Sequence, residues 1–215
     1  MALVVGTNCG FVTTAPTTDP EGVTGLALDT FSLAFKVTAP ATAIKVTEIG
    51  WWCGSATPDA NFEVGVYDHN TGDNNPENLL AGADQTNAKG TTTGWKSVTG
   101  LNISITPSTT YWLAVQLDAT TPDTFMNTTS TVGEKMDRSS ETTLQNPWGA
   151  SDATVARLVP IYAVWEAGAP TGTNSFINIG DSFKSISQMY VNIADTFRKL
   201  STAYINIGDA WKKIF

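Results

Sequence analysis

Along most of this 215-residue chain the apolar positions recur at every second residue. In Phe31-Ser-Leu-Ala-Phe-Lys-Val, Phe31, Leu33, Phe35 and Val37 share one face, and Ser32, Ala34 and Lys36 share the other. Period two marks a strand buried on one side. Phe62–Tyr67, Leu101–Thr106 and Tyr111–Leu117 repeat it, and Ile44–Cys53, Gly94–Val98 and Thr154–Trp165 are further strand candidates. Pro160 has no amide hydrogen to give to a ladder, so the last run is predicted to be an edge strand or to break there. Turn clusters separate the runs at Ala39-Pro40, Thr57-Pro58-Asp59, Asn70–Asn78, Thr106-Pro107-Ser108, Thr121-Pro122-Asp123 and Asn146-Pro147. The stretch Pro122–Gln145 is polar with little periodicity and is predicted to be a long loop. Seven or more short strands with one apolar face each are best satisfied by two sheets packed face to face. The expected fold is an all-β, jelly-roll-like antiparallel sandwich over residues 1–166, with a closed barrel as the alternative.

Residues 167–174 hold Gly, Pro and small polar residues and read as a linker. Beyond it the pattern changes. Phe176-Ile-Asn-Ile-Gly-Asp-Ser-Phe-Lys184, Tyr190-Val-Asn-Ile-Ala-Asp-Thr-Phe-Arg198 and Tyr204-Ile-Asn-Ile-Gly-Asp-Ala-Trp-Lys212 are three copies of one unit. A repeat at a fixed period means one structural unit used several times. The copies start 14 residues apart, and 14 suits two geometries. As β-hairpins, each Gly-Asp (Ala-Asp in the middle copy) is a two-residue turn between strand-favouring arms. As a coiled coil, the apolar spacing alternates three and four. That second geometry puts Gly180 and Gly208 inside a helix, at about 1 kcal/mol each relative to Ala. Hairpins are therefore the favoured reading for 175–215. Either way Phe176, Ile179, Phe183, Tyr190, Ile193, Phe197, Tyr204, Ile207 and Trp211 supply an apolar surface without a core of its own. Such a segment is expected to be an oligomerisation or docking element.

Charge follows the same division. Lys184, Arg198, Lys199, Lys212 and Lys213 oppose Asp181, Asp195 and Asp209, so the repeat region is +2. The other seven basic and seventeen acidic residues make 1–174 −10, and together these give the net −8. An acidic body argues against nucleic acid as a partner. No apolar run approaches the length of a membrane span. The start, Met1-Ala-Leu-Val-Val-Gly, lacks a basic region and is expected not to be a secretory signal. Cys9 and Cys53 are then expected to be free, buried thiols.

Candidate chemistry is sparse. The loop Asp68–Glu77 gathers oxygen ligands, and Asp68, Asn70 and Asp73 are its calcium candidates. Its glycine falls early and no closing Glu follows, so a polar hairpin loop is the plainer reading. His69 is the one histidine, and no nucleophile pattern accompanies it. Glu48, Glu63 and Asp118 are carboxylates that spacing does not pair. No enzyme activity and no cofactor are expected. Aromatic faces with nearby amides bind sugars, and Trp52, Tyr67 and Trp148 are the candidate glycan contacts. Trp51 and Trp52 are neighbours, so on a strand one points into the core and the other away.

The three repeats resemble the (I/V)-N-I-G-D-x-W-K repeats of structural proteins in tailed bacteriophages and related prophages. Ala194 replaces Gly in the middle copy, and Phe183 and Phe197 stand where that pattern has Trp. In the body, Val46-Thr-Glu-Ile-Gly-Trp-Trp, Phe62-Glu-Val-Gly-Val-Tyr-Asp and Thr110-Tyr-Trp-Leu-Ala-Val-Gln are similar to carbohydrate-binding-like sandwich modules. The resemblance implies a non-enzymatic virion structural protein: a capsid decoration protein, head fibre or tail-associated fibre. Its partners would be copies of itself, a trimer among the candidate assemblies, and other virion proteins. It would be located in the virion, assembled in the host cytoplasm. The alternative is an adhesion module for cell-surface glycans.

Overall fold

The computed structural model describes residues 1–20, 24–28, 30–54, 59–80, 85–118, 123–129, 133–168, 175–179, 182–186, 190–193, 196–199, 204–207 and 210–213. Among them there are strands and no α-helix. In chain order these are β1 Gly10–Val12, β2 Thr24–Leu28, β3 Phe31–Thr38, β4 Ala43–Cys53, β5 Asn61–Asn70, β6 Asn75–Leu79, β7 Gln85–Ala88, β8 Gly94–Ser104, β9 Thr110–Leu117 and β10 Asp123–Thr129. They continue with β11 Lys135–Ser139, β12 Ala153–Val155, β13 Arg157–Leu158, β14 Ile161–Ala167, β15 Ser175–Ile179, β16 Ser182–Ile186, β17 Tyr190–Ile193, β18 Thr196–Lys199, β19 Tyr204–Ile207 and β20 Ala210–Lys213. The chain divides into two compact units, Met1–Ala167 and Gly168–Phe215.

The first unit is a sandwich. One sheet has the order β1-β14-β4-β8, and the other runs β12-β11-β3-β9-β5-β6 with β7 also paired to β5. Successive long strands alternate between the two sheets, β3, β5 and β9 in the second and β4, β8 and β14 in the first. The resulting orders, β1-β14-β4-β8 and β3-β9-β5-β7, are those of a jelly roll. One departure is that β1 runs parallel to β14. A third sheet, β13-β10-β2, completes the unit.

The inward faces are those set by period two. Leu33, Phe35, Val64, Val66, Leu113 and Val115 of one sheet meet Val46, Ile49, Trp51, Val98 and Ile103 of the other in one buried cluster. Trp51 packs edge-on against Phe62 with centroids 5.7 Å apart. Each such side chain contributes about 1.5–3 kcal/mol on burial.

The outward face of the second sheet holds a second core. Register sets Ala34 opposite Ala114 and Ala114 opposite Gly65, which makes a row of small residues. Over this face the segment 140–152 is laid down and adds Leu144 and Trp148 to a buried cluster with Ala34, Tyr67, Trp112, Ala114 and Met136. Trp148 lies edge-on to Tyr67 at 5.1 Å. Hydrogen bonds hold the segment to the sheet, Leu144 N to Glu63 Oε2 at 2.8 Å and Tyr67 Oη to Gln145 O at 2.6 Å, and within it Trp148 Nε1 donates to Ser151 Oγ at 2.9 Å. The Asn146–Pro147 bond is cis.

Several expectations are corrected. The polar stretch 122–145 is not a loop, for it carries β10 and β11. In β11 the alternation is masked because Lys135 and Asp137 are both buried and form an ion pair with each other. Gly94–Val98 and most of Leu101–Thr106 belong to one strand, β8, which ends at Ser104. The run with Pro160 is broken, as β12, β13 and β14, but β14 is central, with β1 and β4 on either side. The sheets remain separate, so the barrel alternative does not apply.

In the second unit the repeats form three hairpins, β15–β16, β17–β18 and β19–β20, each its own two-stranded sheet. The register is the same each time. Asn178 is opposite Phe183, Asn192 opposite Phe197 and Asn206 opposite Trp211. The Gly-Asp and Ala-Asp turns, 180–181, 194–195 and 208–209, lie outside the described residues, as do linker residues 169–174.

Candidate functional site

The outward face of the first sheet carries an aromatic cluster. β4 turns Glu48, Gly50 and Trp52 away from the core, and β8 and β14 bring Trp95 and Tyr162 beside them. Trp52 and Trp95 are directly opposite in the β4–β8 register. Their rings meet edge to face, 5.5 Å apart at 73°. Trp95 makes the same kind of contact with Tyr162, at 5.3 Å. Tyr162 lies across Gly50, where a Cβ would fall 2.5 Å from its ring. Gly50 is thus required by the close approach of the tyrosine rather than by a turn.

Tyr162 is 1% exposed. Its hydroxyl donates to Glu48 Oε1 at 2.5 Å. Burial, reinforced by that carboxylate, holds its phenol protonated well above the ordinary range. Trp95 Nε1 donates to Thr18 O at 2.9 Å, which ties the N-terminal segment to this face. Trp52 and Trp95 remain half-buried, with Ser97 exposed nearby on β8. The result is a half-buried aromatic cluster with Glu48 and Ser97 beside it.

The other two glycan candidates are corrected. Tyr67 and Trp148 are both 0% exposed. They pack on each other in the outer core of the second sheet, so neither ring has a face for a sugar. Trp95, Tyr162 and Glu48 were missed as companions of Trp52. Only the pairing of β4 with β8 and β14 brings them together.

The calcium candidates serve the hairpin. Asp68 accepts from Asn78 N at 2.5 Å and from Asn78 Nδ2 at 3.2 Å. Asn70 Oδ1 caps the turn at Gly72 N, 2.9 Å away, and its amide donates to Asp73 Oδ2 at 3.4 Å. No group of three His, Cys, Asp or Glu side chains gathers as a metal set among the described residues. A groove of about 440 Å³ runs beside this turn, with Asn70, Asp73 and Asn75 on one side and Pro147 and Gly149 on the other.

The carboxylates are separated by sheet. Glu48 is on the first, while Glu63 accepts from Leu144 N and Asp118 from Gln116 Nε2 on the second. His69 is not simply solvated, for its Nδ1 accepts from Trp112 Nε1 at 3.1 Å. Burial first and the neighbouring Lys36 second lower its pKa.

In the hairpins, period two divides the apolar set named from the sequence. Phe176 and Phe183 share one face, and Ile179 belongs to the other, with the same division in the second and third copies. The nine residues are two stripes rather than the single seam of a helix.

Comparison with protein families, curated proteins and solved structures finds no match to this chain.

Proposed function

We propose that this chain is a non-enzymatic virion structural protein, a decoration protein or fibre of a tailed bacteriophage. It displays a jelly roll and assembles through its C-terminal repeat. The observation that carries this reading is the run of three hairpins in identical register, each confined to a two-stranded sheet. An isolated hairpin is marginal in water and needs further strands or a packed face. Three in tandem, with apolar residues at positions on both faces, are satisfied by copies from other chains or by a particle surface. Their excess of basic residues suits an acidic neighbour, and the jelly roll is itself acidic.

A second reading is adhesion to a cell-surface glycan. The half-exposed Trp52–Trp95 pair favours it, and it is compatible with the first.

One comparison tests both. The full chain and a chain ending at residue 167 are measured for mass in solution and for glycan binding. The full chain is expected to be an oligomer and the shorter one a monomer. A monomeric full chain at high concentration sinks assembly through the repeat. Glycan binding by both forms, lost on Trp52→Ala, supports adhesion. Recovery of the protein in purified particles tests the virion assignment.

A further inference from the structure

The geometry points to an intramolecular amide cross-link between Lys36 and Asn74, formed with Glu134 as the proton-transfer group. The three residues come from separate places in the chain. Lys36 faces outward from β3, Asn74 ends the β5–β6 turn, and Glu134 immediately precedes β11. Lys36 Nζ donates to Asn74 Oδ1, and Asn74 Nδ2 donates to Glu134 Oε1. Glu134 Oε2 stands 3.1 Å from Lys36 Nζ. One carboxylate therefore touches both the nucleophile and the leaving nitrogen of a single carboxamide. That is the arrangement general acid–base catalysis of amide exchange requires.

Each member is held by backbone. Lys36 N donates to Glu134 O at 2.9 Å, so the base is tied to the strand of the nucleophile. Gly133, at φ +82°, passes so near Arg157 O that a Cβ would lie 2.7 Å from it, which fixes the approach of Glu134. Asn74 has φ 54°, a left-handed position that Asn tolerates, and this aims its side chain back across the sheet. Trp112, opposite Lys36 in register, puts its ring 5.7 Å from Nζ and screens one side from water. The Lys36 and Glu134 side chains are 25% and 23% exposed. A groove of about 500 Å³, lined by Val5, Thr38, Thr110 and Gly133 besides these two, opens onto them and gives a small product an exit.

The chemistry balances without an oxidant or co-reactant. Glu134 takes a proton from the Lys36 ammonium. The freed lone pair adds to Asn74 Cγ, and the carbonyl pair moves onto Oδ1. Glu134 returns its proton to Nδ2 and takes a second from Nζ. The Cγ–Nδ2 bond then breaks, its pair leaving with nitrogen as ammonia, and the carbonyl re-forms. Ammonia carries away the proton left on Glu134 as ammonium. The product is a secondary amide from β3 to the β5–β6 turn. Holding the reactants in contact replaces a bimolecular step by a unimolecular one.

The test is the intact mass of the purified full chain, followed by proteolysis. The wild type is expected to be lighter than its sequence by one ammonia and to yield a branched peptide joining Lys36 to Asn74. Lys36→Arg and Asn74→Ala should each restore the full mass. Glu134→Gln should leave both partners present and unlinked. A wild type of full sequence mass, with Lys36 and Asn74 recovered on separate peptides, overturns the proposal without any variant having to fold. Ammonia loss that persists in Lys36→Arg also overturns it, because the loss then arises elsewhere. Cross-linking that survives in Glu134→Gln removes Glu134 from the reaction.

Discussion

Cys9 and Cys53 are both fully buried, and neither is in a disulfide. Burial pushes the Cys9 thiol from 9.0 up to about 12, because a thiolate there has no water to solvate it. The unfolded chain ionises first as pH rises. The stability this thiol lends is therefore whole below pH 9 and drains away as pH climbs toward the folded value. Native protein at pH 8 should resist alkylation at both cysteines and react fully once unfolded in denaturant. Rapid native labelling at Cys9 would contradict its placement. That Trp51 and Trp52 take opposite faces of their strand was legible at this scale, since adjacent strand residues must diverge. The burial of Trp148 was not. It depends on Ala34, Gly65 and Ala114, which stand on three strands and form a row only after pairing.

At the scale of elements, that row explains why 140–152 behaves as part of the core rather than as a surface loop. Small side chains leave depth above the sheet, and Trp148 fills it with its Nε1 hydrogen-bonded to Ser151. Trp148→Ala should cost about 3–5 kcal/mol, the range for emptying a buried aromatic site. Urea denaturation measures it, and a loss below about 1 kcal/mol, typical of a surface change, would put the ring outside the core. The strands that alternate apolar with polar residues were readable, because one buried face writes a period of two. β1, β2 and β7 left no comparable signal, being three to five residues long. β11 was hidden for another reason, since an ion pair took the place of apolar side chains on its buried face. Sandwich architecture follows from the count of one-faced strands, whereas the jelly-roll order depends on which strands meet. The aromatic site belongs with the second kind of information, as its members come from β4, β8 and β14.

For the whole molecule, the two units differ in how far each is complete. Both buried clusters of the first unit draw on residues between Leu3 and Trp165. The repeats make up the second unit, Gly168–Phe215. Each hairpin is instead a two-stranded sheet, an arrangement that acquires stability from what it docks to. The division of charge, −10 against +2, runs along the same boundary. If the jelly roll holds its own core, ending the chain at residue 167 leaves its stability intact. The shorter chain should melt within about 2 °C of the body transition of the full chain, since a shift of that size corresponds to less than about 1 kcal/mol for a domain of this length. Calorimetry at several protein concentrations separates the contributions. Assembly through the repeats makes their transition depend on concentration, by mass action, while the body transition stays fixed. A body transition lowered by about 5 °C or more on truncation would mean that the repeats pack back on their own jelly roll. The hairpins would then complete this chain instead of joining it to others.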